Sequence, residues 1–196
     1  MESKKVEEAL IEVALKICKQ KKGCMLIIEN NKFDYSALIE QDIKPFSIFN
    51  NLRRLEPLAM FDGACVISPE GELLAYAVQV LNVKPSGYGG TRHQASYTAS
   101  MNGNVVIMSS EEDQKVRIFK DSKLILQLDA LEKNIETKTK DVMSILESVG
   151  VGTLSAVGVA ILVPAIGISL LPGIVIFGSS HYAFKLVGQL IDKKNK

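Results

Sequence analysis

The chain has 196 residues and a formal net charge of +1, a length for one ordinary domain with an appendage. The charge gives no case for nucleic-acid binding, because residues 149–196 carry +3 and the remainder −2, and no nucleic-acid partner is expected. Cys18, Cys24 and Cys65 lie in apolar surroundings without Cys-x-x-Cys spacing, which points to reduced, buried thiols rather than a disulfide framework.

The first eight residues are charged and lack an apolar signal core, so no secretory leader is expected. Val6, Ala9, Leu10, Val13, Ala14 and Ile17 recur at three-four spacing, which predicts an amphipathic helix over residues 6–18. Residues 24–29 read as a core strand, and Asn30-Asn31-Lys32 as a turn. Residues 36–56 are mixed, with short helices expected around Ile48, Phe49, Leu52 and Leu55. Residues 64–68 and 72–81 read as a hairpin closed by Ser68-Pro69-Glu70-Gly71, with Asp62-Gly63 at its entrance. A loop over 82–90 leads to a helix over 91–101 with Thr91 as N-cap, and strands follow at 105–109, 115–119 and 123–128. Helices and strands in this order predict an α/β domain, a mixed central sheet flanked by helices, over residues 1–128.

From Leu128 the periodicity changes. Leu128, Leu131, Ile135, Val142, Ile145 and Val149 follow helical spacing, with Lys138 at a position that should be apolar. Residues 129–148 read as a helical stalk that either pairs weakly with another copy or lies on the domain. Between Glu147 and Lys185 there are 37 residues without formal charge. That exceeds the roughly 20 residues of a single membrane helix, and Pro164 and Pro172-Gly173 interrupt it. Residues 149–187 are therefore expected to form a hydrophobic helical hairpin, roughly 149–163 and 166–186, followed by a basic tail at 188–196. Small residues (Gly152, Ala156, Ala160; Ala165, Ser169, Gly173) and flanking lysines suit a membrane segment with both ends on the cytoplasmic side. The competing reading is a buried hairpin in a soluble oligomer.

Three stretches carry chemistry. Gly87-Tyr88-Gly89-Gly90-Thr91-Arg92-His93 runs from a glycine loop into a helix start, where backbone N–H groups, the helix dipole and two cationic or donor side chains favour phosphate. It is neither a Walker A loop nor a dinucleotide fingerprint. Asp62-Gly63-Ala64 opens one apolar run, and Ser109-Ser110-Glu111-Glu112 closes another. Acidic groups at strand ends beside a phosphate loop are what a magnesium or manganese nucleotide site needs.

Asp-Gly-Ala, Gly-Thr-Arg-His and Ser-Glu-Glu, in this order, resemble the diadenylate cyclase family over roughly residues 6–128, including the lead-in Gly23-Cys24-Met25-Leu26-Ile27-Ile28-Glu29. The resemblance implies the same mixed α/β fold and the condensation of two ATP molecules into cyclic di-AMP by two protomers meeting face to face, as a homodimer or higher homo-oligomer. Asp62, Arg92 and His93 are then the catalytic candidates. Gly63, Ala64, Gly89, Gly90, Thr91, Arg92, His93, Ser110 and Glu111 are candidates for holding nucleotide and phosphate. Asp62 and Glu112 are the implied ligands of a divalent cation, magnesium or manganese. With the hydrophobic tail, the expected location is the cell membrane with the catalytic domain on the cytoplasmic face.

The sequence departs from the family pattern at three places. Phe61 stands where relatives commonly have His, Gln94 replaces the second arginine of Arg-His-Arg, and Asp113-Gln114 replaces Thr-Gly. Phe61 and Gln94 favour an alternative, a catalytically inactive domain that binds ATP or cyclic di-AMP and controls the membrane segment. A third reading makes the tail a membrane effector.

Overall fold

The structure, a computed structural model, describes residues 2–87, 89–140, 166–171 and 174–178. The elements are α1 (Glu2–Lys19), β1 (Cys24–Ile28), β2 (Tyr35–Ala37), a 3-10 turn (Ile48–Asn50), α2 (Leu52–Ala59), β3 (Ala64–Ile67), β4 (Leu73–Val80) and α3 (Thr91–Ala99). A second 3-10 turn (Met101–Gly103) leads to β5 (Val105–Ser109), β6 (Lys115–Lys120), β7 (Lys123–Asp129), β8 (Ile166–Leu171) and β9 (Ile174–Gly178). The apolar stripe of α1 is the stripe read from sequence: Val6, Leu10, Val13, Ala14 and Ile17 are all buried.

The strands form one mixed sheet in the order β2-β4-β3-β1-β5-β6-β7-β9-β8. β1 and β3 are parallel, joined by a crossover that carries α2. All other neighbours are antiparallel. Central strands are apolar on both faces because both faces are covered. Cys24, Leu26 and Ile28 of β1 join Val105 and Ile107 of β5 under α1 and α2. Met25, Ile27, Val106 and Met108 point the other way, towards α3. The three thiols are buried in this core; burial pushes Cys18 and Cys24 up to about 11 and Cys65 to about 12, so none is a nucleophile at neutral pH.

The stretch 36–56 is helical only near its end. Ahead of that, Tyr35 pairs with Val80 to make β2 an edge strand. The Gln41 side chain then takes the place of a strand neighbour, accepting from the Tyr76 N–H at 3.0 Å and donating to the Tyr76 carbonyl at 2.9 Å. It does so where the β3–β4 register slips and Ala77 lies at φ 47°. This bulge bends β4 across the entrance to β3.

Past Leu128 the packing continues. Ala130 and Ile135 are buried in the α1-side core, Lys19 pairs with Glu136, and residues 135–140 are helical. The first turn of the stretch read as a stalk therefore lies on the domain. Residues 141–148, 149–165, 179–187 and the basic tail 188–196 lie outside the described residues. Within the predicted helical hairpin, the described parts are strands: β8 and β9 are antiparallel, and β9 extends the sheet by pairing Leu126 with Ile176 and Leu128 with Ile174. Apolar segments of five or six residues are too short to show a helical period, and the successive β-branched Ile174, Val175 and Ile176 of β9 favour a strand against an open sheet edge. No helix among the described residues is long and apolar enough to cross a membrane.

Candidate nucleotide-binding cleft

On the α3 side of the sheet lies a cleft of about 860 Å³. It collects residues from all three stretches: Asp62 and Gly63; Gly89, Gly90, Thr91, Arg92, His93 and Gln94; Ser110, Glu111 and Glu112. These groups are up to 50 positions apart in sequence, from Asp62 to Glu112, and the sheet order explains their meeting. β3, β1 and β5 are consecutive neighbours, so the segment entering β3 and the segment leaving β5 sit near one another. Of the predicted residues, Ala64 alone does not line the cleft: its methyl is buried in the α3-side core.

Asp62 is exposed at the entrance to β3, and its Oδ1 accepts the Gly63 N–H at 3.0 Å. Gly63 is at φ +95°, and a Cβ there would lie 2.5 Å from the Val78 carbonyl oxygen and 2.9 Å from its nitrogen. The bulged strand β4 thus passes directly over the glycine, which only a residue without a side chain allows.

At α3 the N-cap is Gly90, at φ 87°, and Thr91 is the first helical residue rather than the cap. The glycine supplies the backbone turn but no capping oxygen, and among the described residues no side-chain hydrogen bond caps this helix. Its first N–H groups therefore remain donors for a ligand. Among the described residues, Arg92, Glu112 and Asp62 Oδ2 have no hydrogen bond or ion pair, so the charges facing the cleft are not consumed internally.

The acidic turn is held from behind. Ser110 N–H donates to the Lys115 carbonyl at 3.0 Å, and Asp113 is paired with Arg117, which also donates to Gln127 Oε1 at 3.0 Å. Burial pushes the Asp113 carboxyl up, but hydrogen bonds and charge from Arg117 outweigh it and hold the pKa below 3.8. Asp113, at a departure from the family pattern, thus anchors the turn that carries Glu112.

His93 is half-buried with its ring edge-on to Phe119, centroids 6.3 Å apart. Burial, followed by the charge of Arg117, lowers its pKa below 6.5, against weaker opposition from Asp113 and Glu112. The shift disfavours the charged imidazolium in the ligand-free cleft. A depressed folded-state pKa means that the stability associated with neutral His93 is fully present above 6.5 and is lost as the pH falls through the folded value. Urea midpoints measured without nucleotide from about pH 7.5 to 5 are expected to fall more steeply for the native chain than for His93→Gln. Parallel curves would exclude this linkage.

One wall is apolar: Met25, Leu38, Val78, Val80, Val83 and Met108. These residues look like ordinary strand and loop hydrophobes until the sheet brings them together. Phe61 is 49 % exposed and tilts against Tyr76 at 6.3 Å, while Gln94 lies on the cleft itself. Among the described residues no group of three or more His, Cys, Asp or Glu side chains is arranged to hold a metal. Asp62 and Glu112 supply two carboxylates, a donor set that fits a magnesium-type ion completed by substrate phosphates and water.

No curated protein matches the chain. Among solved structures it is similar to a hypothetical membrane spanning protein from Bacillus cereus, at 15 % identity and TM-score 0.47, over 62 % of this chain and 62 % of that one. It is also similar to a double-cysteine mutant of DacA from Staphylococcus aureus, at 17 % identity and TM-score 0.49, over 71 % of this chain and 93 % of that one. The chain thus spans less than two thirds of the Bacillus cereus protein's length. Residues 12–124, more than half of the chain, match the family described as DisA bacterial checkpoint controller nucleotide-binding. With Asp-Gly-Ala, Gly-Thr-Arg-His and Ser-Glu-Glu converging on one cleft inside that match, the chain belongs to the DisA nucleotide-binding, or diadenylate cyclase, family.

Proposed function

We propose that the protein is a diadenylate cyclase that condenses two ATP molecules into cyclic di-AMP and two pyrophosphates. The observation that carries the proposal is the meeting of Asp62, the uncapped start of α3 with Arg92 and His93, and Glu112 around one cleft. In each half-reaction a ribose 3′-oxygen bonds to the α-phosphorus of the other ATP. The bond from that phosphorus to the bridging oxygen breaks, and pyrophosphate leaves with the electron pair. Asp62 orients the 3′-hydroxyl and takes up its proton directly or through water. Arg92, His93 and the first N–H groups of α3 hold the triphosphate and its developing charge, with Gly89 and Gly90 shaping the cradle. Gly63 lets β4 pass close over the backbone beside Asp62, and Ser110 and Glu111 support the turn around Glu112. Asp62 and Glu112 would hold a magnesium or manganese ion. Bound there, the ion would neutralise phosphate charge and polarise the α-phosphoryl group.

One cleft holds one ATP, so ring closure needs two protomers face to face. The uncharged residues between Glu147 and Lys185 that lie outside β8 and β9 support attachment to the cytoplasmic face of the cell membrane. Attachment would raise the local concentration of protomers. Full-length protein is expected to float with phospholipid vesicles, and recovery in the unbound fraction would count against attachment.

Exposed Phe61 and cleft-lining Gln94 favour the second reading, an inactive nucleotide sensor. Full-length protein incubated with ATP and magnesium or manganese separates the two by mass spectrometry of the products. Cyclic di-AMP is expected. Bound ATP without product would replace the enzyme reading with the sensor.

A further inference from the structure

Gly23 stands between α1 and β1, and nothing about its backbone requires glycine: its φ lies outside the left-handed region. What glycine provides there is space. A Cβ on Gly23 would lie 2.6 Å from Cζ and 2.8 Å from Nη2 of Arg92, and closer still to Nη1. The guanidinium of Arg92 therefore occupies the volume that any side chain at position 23 would fill. No hydrogen bond or ion pair fixes Arg92 among the described residues, and its guanidinium rests against Gly23.

The surface it packs on is itself tied down. Ser109 Oγ accepts the Cys24 N–H at 2.9 Å and donates to the Lys22 carbonyl at 3.2 Å, bridging the chain on both sides of Gly23. Ser109 ends β5, and Ser110, Glu111 and Glu112 follow directly. The seat of Arg92 is thus referenced to the acidic turn as well as to α3.

We propose that Gly23 is a positioning residue that sets the Arg92 guanidinium for the ATP phosphates by leaving its seat open. The proposal rests on the reading of the cleft as an ATP site. A planar guanidinium recognises phosphate through fixed paired donors, so its orientation matters more than its charge alone. A displacement near 1 Å is enough to weaken such an arrangement.

The test is a double-mutant cycle on the full-length chain: native, Gly23→Ala, Arg92→Ala and the double variant. ATP affinity is measured by calorimetry with magnesium present. Gly23→Ala is expected to weaken ATP about tenfold when Arg92 is present and by less than about twofold when it is absent. An equal loss in both backgrounds, or none in either, overturns the proposal. If Gly23→Ala lowers folding stability, removing the obstructing guanidinium with Arg92→Ala is expected to restore it. Failure to restore it shows that Gly23 serves β1 rather than Arg92, and also overturns the proposal. Absence of ATP binding by the native chain removes the ATP-site reading and this inference with it, a result distinct from binding without coupling.

Discussion

Asp62→Asn is expected to lower cyclic di-AMP formation by roughly 10²–10⁴-fold while leaving the fold intact. The amide is nearly the same size, and its oxygen can still accept the Gly63 N–H that Asp62 Oδ1 accepts at 3.0 Å. The side chain is exposed, so folding stability is expected to move by no more than about 0.5 kcal/mol. What disappears is a negative charge able to take a proton and to ligate a divalent ion. Turnover at saturating ATP, with affinity measured separately, distinguishes the roles. Loss of turnover places Asp62 in the reaction; loss of affinity alone makes it a binding group. A variant within a few-fold of the native rate would remove it from the catalytic set.

The second large effect is on stability. Gly63→Ala is expected to cost about 3 kcal/mol or more, because two penalties coincide. The residue sits at φ +95°, where L side chains are strained, and the new methyl meets the Val78 oxygen, nitrogen and carbonyl carbon at 2.5, 2.9 and 3.0 Å. Those are backbone atoms of β4 and cannot rotate away. Gly89→Ala provides the comparison, since a Cβ there meets nothing within 4 Å and little change in stability is expected. Urea unfolding of both variants beside the native chain checks the contrast. A Gly63→Ala midpoint equal to that of Gly89→Ala would show that β4 yields at this point.

Local signals made most elements legible. The stripe of α1, the hairpin around Ser68-Pro69-Glu70-Gly71 and the runs that became β5, β6 and β7 all appear with boundaries within a few residues. The cleft was legible in a different way: no single stretch identified it, but three weak stretches in fixed order did, and the sheet places them together. What remained hidden depends on long-range geometry. Nothing near Gln41 announces that its side chain will pair with Tyr76, and Ala77 gives no local hint of a left-handed turn inside a strand. Gly23 read as part of a lead-in to β1; only the folded chain shows Arg92 lying against it. Thr91 had the chemistry of a cap, but the glycine before it made the turn. Residues 166–186 were read as the second helix of a hydrophobic hairpin, whereas 166–171 and 174–178 are the strands β8 and β9, and β9 pairs with β7.

The strand order also decides from which side the protein can be held. β4, which borders the cleft, and β9, which leads into the C-terminal residues, stand six strand spacings apart in the sheet. At about 4.8 Å per spacing this separates them by roughly 29 Å along the hydrogen-bonding direction. A tether of the proposed kind, acting through residues beyond β9, would therefore pull on the sheet well away from β4.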